Sequence, residues 1–152
     1  MKKIDNKNLI YKKNHFKTCR NINWDDVISK ISNEIDCKSY GLILNDINNF
    51  PTIVMANTFL PNTISQSFCE VQKDCDITTM HMYVSFSNQC DTFGRHKDET
   101  DVLIVQAINK VSYKIDDVIY DLSPGDSLFI KAKTFHEPII YGPRVTLSFS
   151  WE

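Results

Sequence analysis

Through the C-terminal half of the chain, apolar and polar residues alternate with the period of a β-strand. From Thr79, Met80, Met82, Val84 and Phe86 fall on one face and His81, Tyr83 and Ser85 on the other, which predicts a half-buried strand. Val102 to Ile108 is apolar almost throughout, the pattern of a strand covered on both faces. Asn109-Lys110 reads as a two-residue hairpin turn, Asn tolerating positive φ, with Val111 to Ile115 returning antiparallel. Val118 to Leu122 follows, then the turn Ser123-Pro124-Gly125-Asp126 and a strand from Ser127 to Lys131. The final run sets Arg144, Thr146, Ser148 and Ser150 against Val145, Leu147, Phe149 and Trp151, one face wet and one face core. Many short antiparallel strands with tight turns predict a small barrel or jelly roll.

The N-terminal half reads differently. Asn23 is a candidate N-cap for a helix from Trp24 to about Ile35, with Asp25 and Asp26 complementing the helix dipole and Val27, Ile28, Ile31 and Ile35 at helical spacing. Tyr40 to Leu44 and Thr52 to Ala56 read as short buried strands around the polar turn Asn45 to Asn49, bounded by Pro51 and Pro61. A second helix is expected over Ile64 to Val71. The expected fold is mainly β with flanking N-terminal helices.

Composition narrows the class. A chain of 152 residues, 42% hydrophobic, has the size and core content of one domain. Its apolar runs are short and no secretory leader is visible, so a soluble, cytoplasmic protein is expected. Five cysteines without a CxxC pair fit reduced thiols and exclude a structural zinc site. The net charge of -2 hides an asymmetry: the first twenty residues carry seven of the seventeen basic side chains and one acid, Asp5. Residues 1–20 are therefore expected to form a basic arm before a single domain at 21–152. The arm is a candidate contact for nucleic acid or an acidic partner, although it lacks interleaved aromatics, and a solvated tail is the simpler expectation.

The chemistry lies in the β-rich half. His96 and Asp98 stand two residues apart, so an extended backbone points both the same way, and His136 follows forty residues later where a returning strand can supply it. Two imidazoles and one carboxylate on one face of an octahedron suit non-haem Fe(II), with three positions left open. Separately, each residue has a plain structural reading; together, flanking a strand-rich stretch with a Pro-Gly-Asp turn, they form a candidate metal site. His81 reads as a structural residue or pocket wall, and Glu137, Lys131 and Lys133 as solvated. No Walker loop, G-x-S-x-G or Cys/His dyad is present.

Over about residues 80 to 151 the chain resembles the cupin-fold Fe(II)- and 2-oxoglutarate-dependent oxygenases, nearest to the JmjC-type ribosomal and asparaginyl hydroxylases. His96, Asp98 and His136 match their His-x-Asp…His triad, Gln106 matches a glutamine on the following strand, and Leu122 to Ile130 matches an L-x-P-G-D-x-L-x-I block. The resemblance implies a double-stranded β-helix using Fe(II) and 2-oxoglutarate to hydroxylate a substrate, with a protein side chain favoured over a small molecule. Two positions depart: Val111 stands where such enzymes place a lysine or arginine for the distal carboxylate, and Phe93 replaces a threonine. In prolyl-hydroxylase-like members an arginine follows the distal histidine by about one strand, which nominates Arg144 as the anchor. Thr146 on the same face is the candidate second donor, and Tyr83 and Ser85 complete the expected pocket.

Two alternatives stay open. A plain metal-binding cupin would act on a small molecule without 2-oxoglutarate, although its usual second histidine is Asp98 here and its glutamate position holds Val102 or Leu103. A cupin-like binding module without catalysis is the other.

Overall fold

The computed structural model describes residues 9–34 and 52–151. The expected strand Tyr40 to Leu44, its following turn and Pro51 lie outside these residues. Nine strands and two helices are present among them: β1 (Leu9–Lys12), α1 (Trp24–Glu34), β2 (Ile53–Ala56), α2 (Asn62–Cys75), β3 (Thr79–Ser85), β4 (Val102–Ile108), β5 (Val111–Ile115), β6 (Val118–Leu122), β7 (Ser127–Ile130), β8 (Glu137–Ile140) and β9 (Arg144–Ser150). A single 3-10 turn covers Thr18–Asn21.

The strands form two antiparallel sheets, a large one ordered β1-β7-β4-β9-β3-β2 and a small one ordered β6-β5-β8. From β4 onward the chain switches sheets at every connection except the β5–β6 hairpin, which builds a jelly roll. Between the sheets lie Val102, Ile104, Val111, Ile115, Leu122, Leu128 and Ile130. On the other side of the large sheet, Leu103, Val105, Val145, Leu147 and Phe149 pack with Val27 and Ile31 of α1 and Ile64 and Val71 of α2. The central strand β4 is thus covered on both faces, which is why its sequence shows no alternation. On β9 the polar face is not wet as expected but turned into the barrel: Arg144 is 2% and Thr146 0% exposed.

The helices are tied by polar contacts at their ends. Asn23 Oδ1 accepts from the Asp26 amide at 2.9 Å, the N-cap that the sequence predicts. Asp26 in turn accepts from the backbone N–H (3.0 Å) and hydroxyl of Thr63, capping α2, whose own N-cap position, Pro61, has no side-chain donor or acceptor. Lys30, fully buried, donates to the carbonyls of Ala56 and Phe59, both at 2.7 Å, and to Glu34. These bonds satisfy a charge that burial would otherwise make costly.

The expected basic arm is corrected over residues 9–20. Leu9–Lys12 pairs with β7 as an edge strand, and Phe16 and Cys19 are core residues at 1% and 0% exposure. Leu9 and Ile10 are half-buried and Phe16 and Cys19 buried, while Lys12, Lys13 and Lys17 stay exposed. Lysines on an edge strand discourage further pairing, so a charge-rich composition does not exclude a strand. The segment is secured by the Pro-Gly-Asp turn. Asp126 accepts from the Tyr11 hydroxyl (3.0 Å), the Asn14 amide (2.8 Å) and the Ser123 amide (3.0 Å), while the Phe16 amide donates to Gly125 O at 3.0 Å.

Candidate metal centre and cavity

Two segments meet at one end of the barrel. His96 and His136 form an isolated antiparallel bridge, with each amide donating to the other's carbonyl at 2.9 and 2.8 Å. Further along, the Lys133 amide donates to Asp98 O at 2.8 Å, and the Ala132 amide to Asp101 Oδ1 at 2.7 Å. Alternation does the rest: Arg95, Lys97 and Glu99 are exposed while His96 and Asp98 between them are half-buried and turned inward.

The ligand atoms of His96, Asp98 and His136 lie within 4.8 Å of one another. Asp98 Oδ2 is 3.4 Å from His136 Nε2. His96 Nδ1 sits 2.8 Å from Gly94 O and His136 Nδ1 3.0 Å from Thr134 O. A carbonyl cannot donate, so each Nδ1 carries a proton, which in the neutral ring leaves Nε2 its lone pair. That is the tautomer a metal ligand needs, held by the carbonyl partners usual behind a metal-bound histidine. Burial, reinforced by neighbouring His96, pushes the His136 pKa below the ordinary 6.5, against the opposing pull of Thr134 O and Asp98, and this favours the neutral ligand form. The donor set of two imidazole nitrogens and one carboxylate therefore fits a divalent transition metal with open positions.

Beside the triad is a cavity of about 220 Å³, walled by Tyr83, Phe93, Ile104, Tyr113, Pro138 and Arg144. Arg144 is almost fully buried; its Nε donates to Ser85 Oγ at 3.0 Å, and its guanidinium carbon lies 5.9 Å from the Tyr83 ring centroid. Among the described residues no carboxylate pairs with it. A buried guanidinium without a counter-charge is costly, and burial already pulls its pKa below the ordinary arginine value. An anion entering the cavity would supply the missing partner. Burial pushes the Tyr113 hydroxyl up to about 12 and raises Tyr83 above 10.0, so both keep their protons as hydrogen-bond donors.

Of the residues nominated from the sequence, the structure brings His96, Asp98, His136, Arg144 and Tyr83 together around one space. Ser85 is there too, but behind Arg144 rather than in the wall. Thr146 does not reach the cavity, because its hydroxyl donates to Gln106 Oε1 at 2.7 Å. Gln106 spends its amide on Ile108 O (2.8 Å) and Asn109 O (2.9 Å), bracing the irregularity in β4 and the hairpin turn. His81 is half-buried on β3 and outside the cavity wall. Tyr113 went unnoticed as a wall residue, yet its signal was legible: Val111 and Tyr113 share the inward face of β5, and the bulkier one reaches the site. Phe93 stands in the wall where the resemblance expected a threonine, edge-on to His96 and Tyr83 at centroid distances of 5.7 and 6.1 Å.

The fold is that of the cupin-type double-stranded β-helix, a jelly roll. Two solved structures carry the likeness. Escherichia coli ycfD, a ribosomal oxygenase, aligns with TM-score 0.56 and 14% identity over 66% of this chain. A cupin superfamily protein from Desulfitobacterium hafniense aligns with TM-score 0.50 and 16% identity over 71% of this chain and 84% of its own. This chain spans only 33% of the length of ycfD. No protein-family model matches the sequence, and no curated protein matches it.

Proposed function

We propose that the chain is an Fe(II)- and 2-oxoglutarate-dependent oxygenase that hydroxylates a protein side chain. The observation that carries this reading is Arg144, a buried cation without a carboxylate partner among the described residues, in the wall of the cavity that the His96, Asp98 and His136 ligand atoms border. A 2-oxoacid with a second carboxylate can meet both features, its oxoacid end at the metal and its far carboxylate on the guanidinium. The choice of a protein substrate rests on analogy with the ribosomal oxygenase that shares the fold.

Fe(II) held there would activate O2 for the oxidative decarboxylation of 2-oxoglutarate to succinate and CO2, coupled to hydroxylation of a C–H bond. The protein's own contribution is positional. His96, Asp98 and His136 would hold the ion, a donor set that does not fill its coordination shell. Arg144 fixes the far carboxylate and so sets the direction in which the oxoacid end points. Phe93, Ile104 and Pro138 keep the wall apolar and limit water, while Tyr83 and Tyr113 offer protonated hydroxyls. The test is an anaerobic titration of Fe(II) and 2-oxoglutarate, watching for the visible metal-to-ligand charge-transfer band of a chelated 2-oxoacid. A band that weakens in Arg144→Ala and vanishes in Asp98→Ala supports the assignment. Its absence from iron-loaded wild type rejects it in favour of a cupin that uses its metal without 2-oxoglutarate.

A further inference from the structure

Arg144 is held by a chain of hydroxyls whose direction can be worked out atom by atom. Its Nε–H donates to Ser85 Oγ at 3.0 Å. Ser85 Oγ lies 3.0 Å from Thr52 Oγ1, and Thr52 Oγ1 lies 2.6 Å from the backbone carbonyl of Asp91. The carbonyl can only accept, so Thr52 gives its one hydroxyl proton to Asp91 O. Ser85 must then donate to Thr52, which leaves a Ser85 lone pair for the arginine. The relay runs one way, from the guanidinium on β9, across β3, to Thr52 just before β2, and ends on the Asp91 backbone at the cavity rim. Each hydroxyl both accepts and donates, an arrangement in which the bonds reinforce one another.

We infer that Thr52 is a positioning residue for the Arg144 anchor, setting the plane in which the guanidinium faces the cavity. This rests on the proposed 2-oxoglutarate reading. With Nε committed to Ser85, only the two terminal nitrogens remain for a carboxylate, and a bidentate pair requires their plane to be fixed. Without the Thr52 oxygen as acceptor, Ser85 loses the partner that orients its hydroxyl. It is then free to turn its proton toward Nε–H, and the anchor loosens. Thr52 has no counterpart among the residues that the family resemblance nominates, because its role exists only through the contact between β3 and the rim.

The test titrates 2-oxoglutarate anaerobically into Fe(II)-loaded wild type, Thr52→Val, Thr52→Ser and Ser85→Ala, following the charge-transfer band, with Fe(II) affinity and thermal unfolding measured on each. Thr52→Val keeps the branched shape and removes the hydroxyl; it is expected to raise the half-saturating 2-oxoglutarate concentration about tenfold, with Fe(II) affinity unchanged. Thr52→Ser restores the relay and titrates within about twofold of wild type, a rescue that a packing role would not produce. Ser85→Ala gives at least the effect of Thr52→Val, and supplies the comparison should Thr52→Val fold poorly. Wild-type titration behaviour in Thr52→Val or in Ser85→Ala overturns the relay and leaves the proposed function standing. Absence of a band in wild type rejects the 2-oxoglutarate reading itself, and the inference falls with it.

Discussion

His96 and His136 hold each other twice, amide to carbonyl in both directions at 2.9 and 2.8 Å, and their rings stand 4.3 Å apart between centroids. The two imidazoles are thus set by backbone, while each Nδ1 is locked on a carbonyl two residues earlier. A metal bound at this centre would find its nitrogen ligands already oriented, which would lower the ordering cost of binding.

Removing one of these ligands is the first test. His136→Ala should weaken Fe(II) or Co(II) binding by roughly 100-fold or more while the barrel stays folded, measured by calorimetric titration alongside circular dichroism. Retained affinity would move the metal site elsewhere.

Arg144 makes an opposite pair of demands on stability and binding. Replacing it with Met removes a buried charge that has no carboxylate partner among the described residues. The apo protein should therefore unfold at the same temperature as wild type or higher. Saturating 2-oxoglutarate at about 100 times its Kd should stabilise Fe(II)-loaded wild type by about 2.7 kcal/mol and leave Arg144→Met unmoved. Thermal melts with and without the oxoacid read both effects.

The Pro-Gly-Asp turn is where the N-terminal segment is fastened. Gly125 has φ +91°, and a Cβ there would meet Arg20 Cγ and Cδ at 2.8 Å and Phe16 O at 3.3 Å. Gly125→Ala should cost about 1–3 kcal/mol in urea unfolding through the strained backbone and the displaced Arg20. Asp126→Ala, which removes the acceptor of three hydrogen bonds from the Asn14 and Ser123 amides and the Tyr11 hydroxyl, should cost about 2–4 kcal/mol at about 1 kcal/mol for each bond.

Burial gives the fold a defined alkaline limit. It pushes the Cys19 thiol up to about 12 and Cys75 up to about 11, against an ordinary 9.0. Below pH 9 both states keep these protons and stability is full. As pH rises from 9 toward 12 the unfolded chain releases them first, so stability falls. Cys19→Ala should make that decline shallower in unfolding curves compared at about pH 8 and about pH 10.5. At the lower pH, Cys19 should resist alkylation in the native protein while exposed Cys69 reacts.

Alternation marks β3 and β9, an unbroken apolar run marks β4 and the turns between them mark β5 and β6, each within a residue of its ends. These signals miss β1 and β8 for separate reasons. Leu9–Lys12 sits in a lysine-rich run, and Glu137–Ile140 carries Pro138 and no alternation. Among the described residues each pairs with one strand, β7 and β5 respectively, and is held by that partner more than by its own pattern. The helix α2 was foreseen short by two residues at its start and four at its end, where polar residues hide its amphipathic face.

What the sequence determined by itself was chemistry within reach of one strand: the shared direction of His96 and Asp98, the turn residues at Asn109 and Gly125, and the two faces of β9. What only the tertiary structure decided was which polar residues meet. Thr146 and Arg144 share a face and read as equivalent donors, yet one is spent on Gln106 and the other is left for the cavity. Thr52, Ser85 and Asp91 line up behind Arg144 although 33 and 39 residues separate Thr52 from the other two. Hydrogen bonds are short and directional, so the partner of a buried polar group depends on register and curvature across strands, which a linear pattern of hydrophobic and polar positions does not encode.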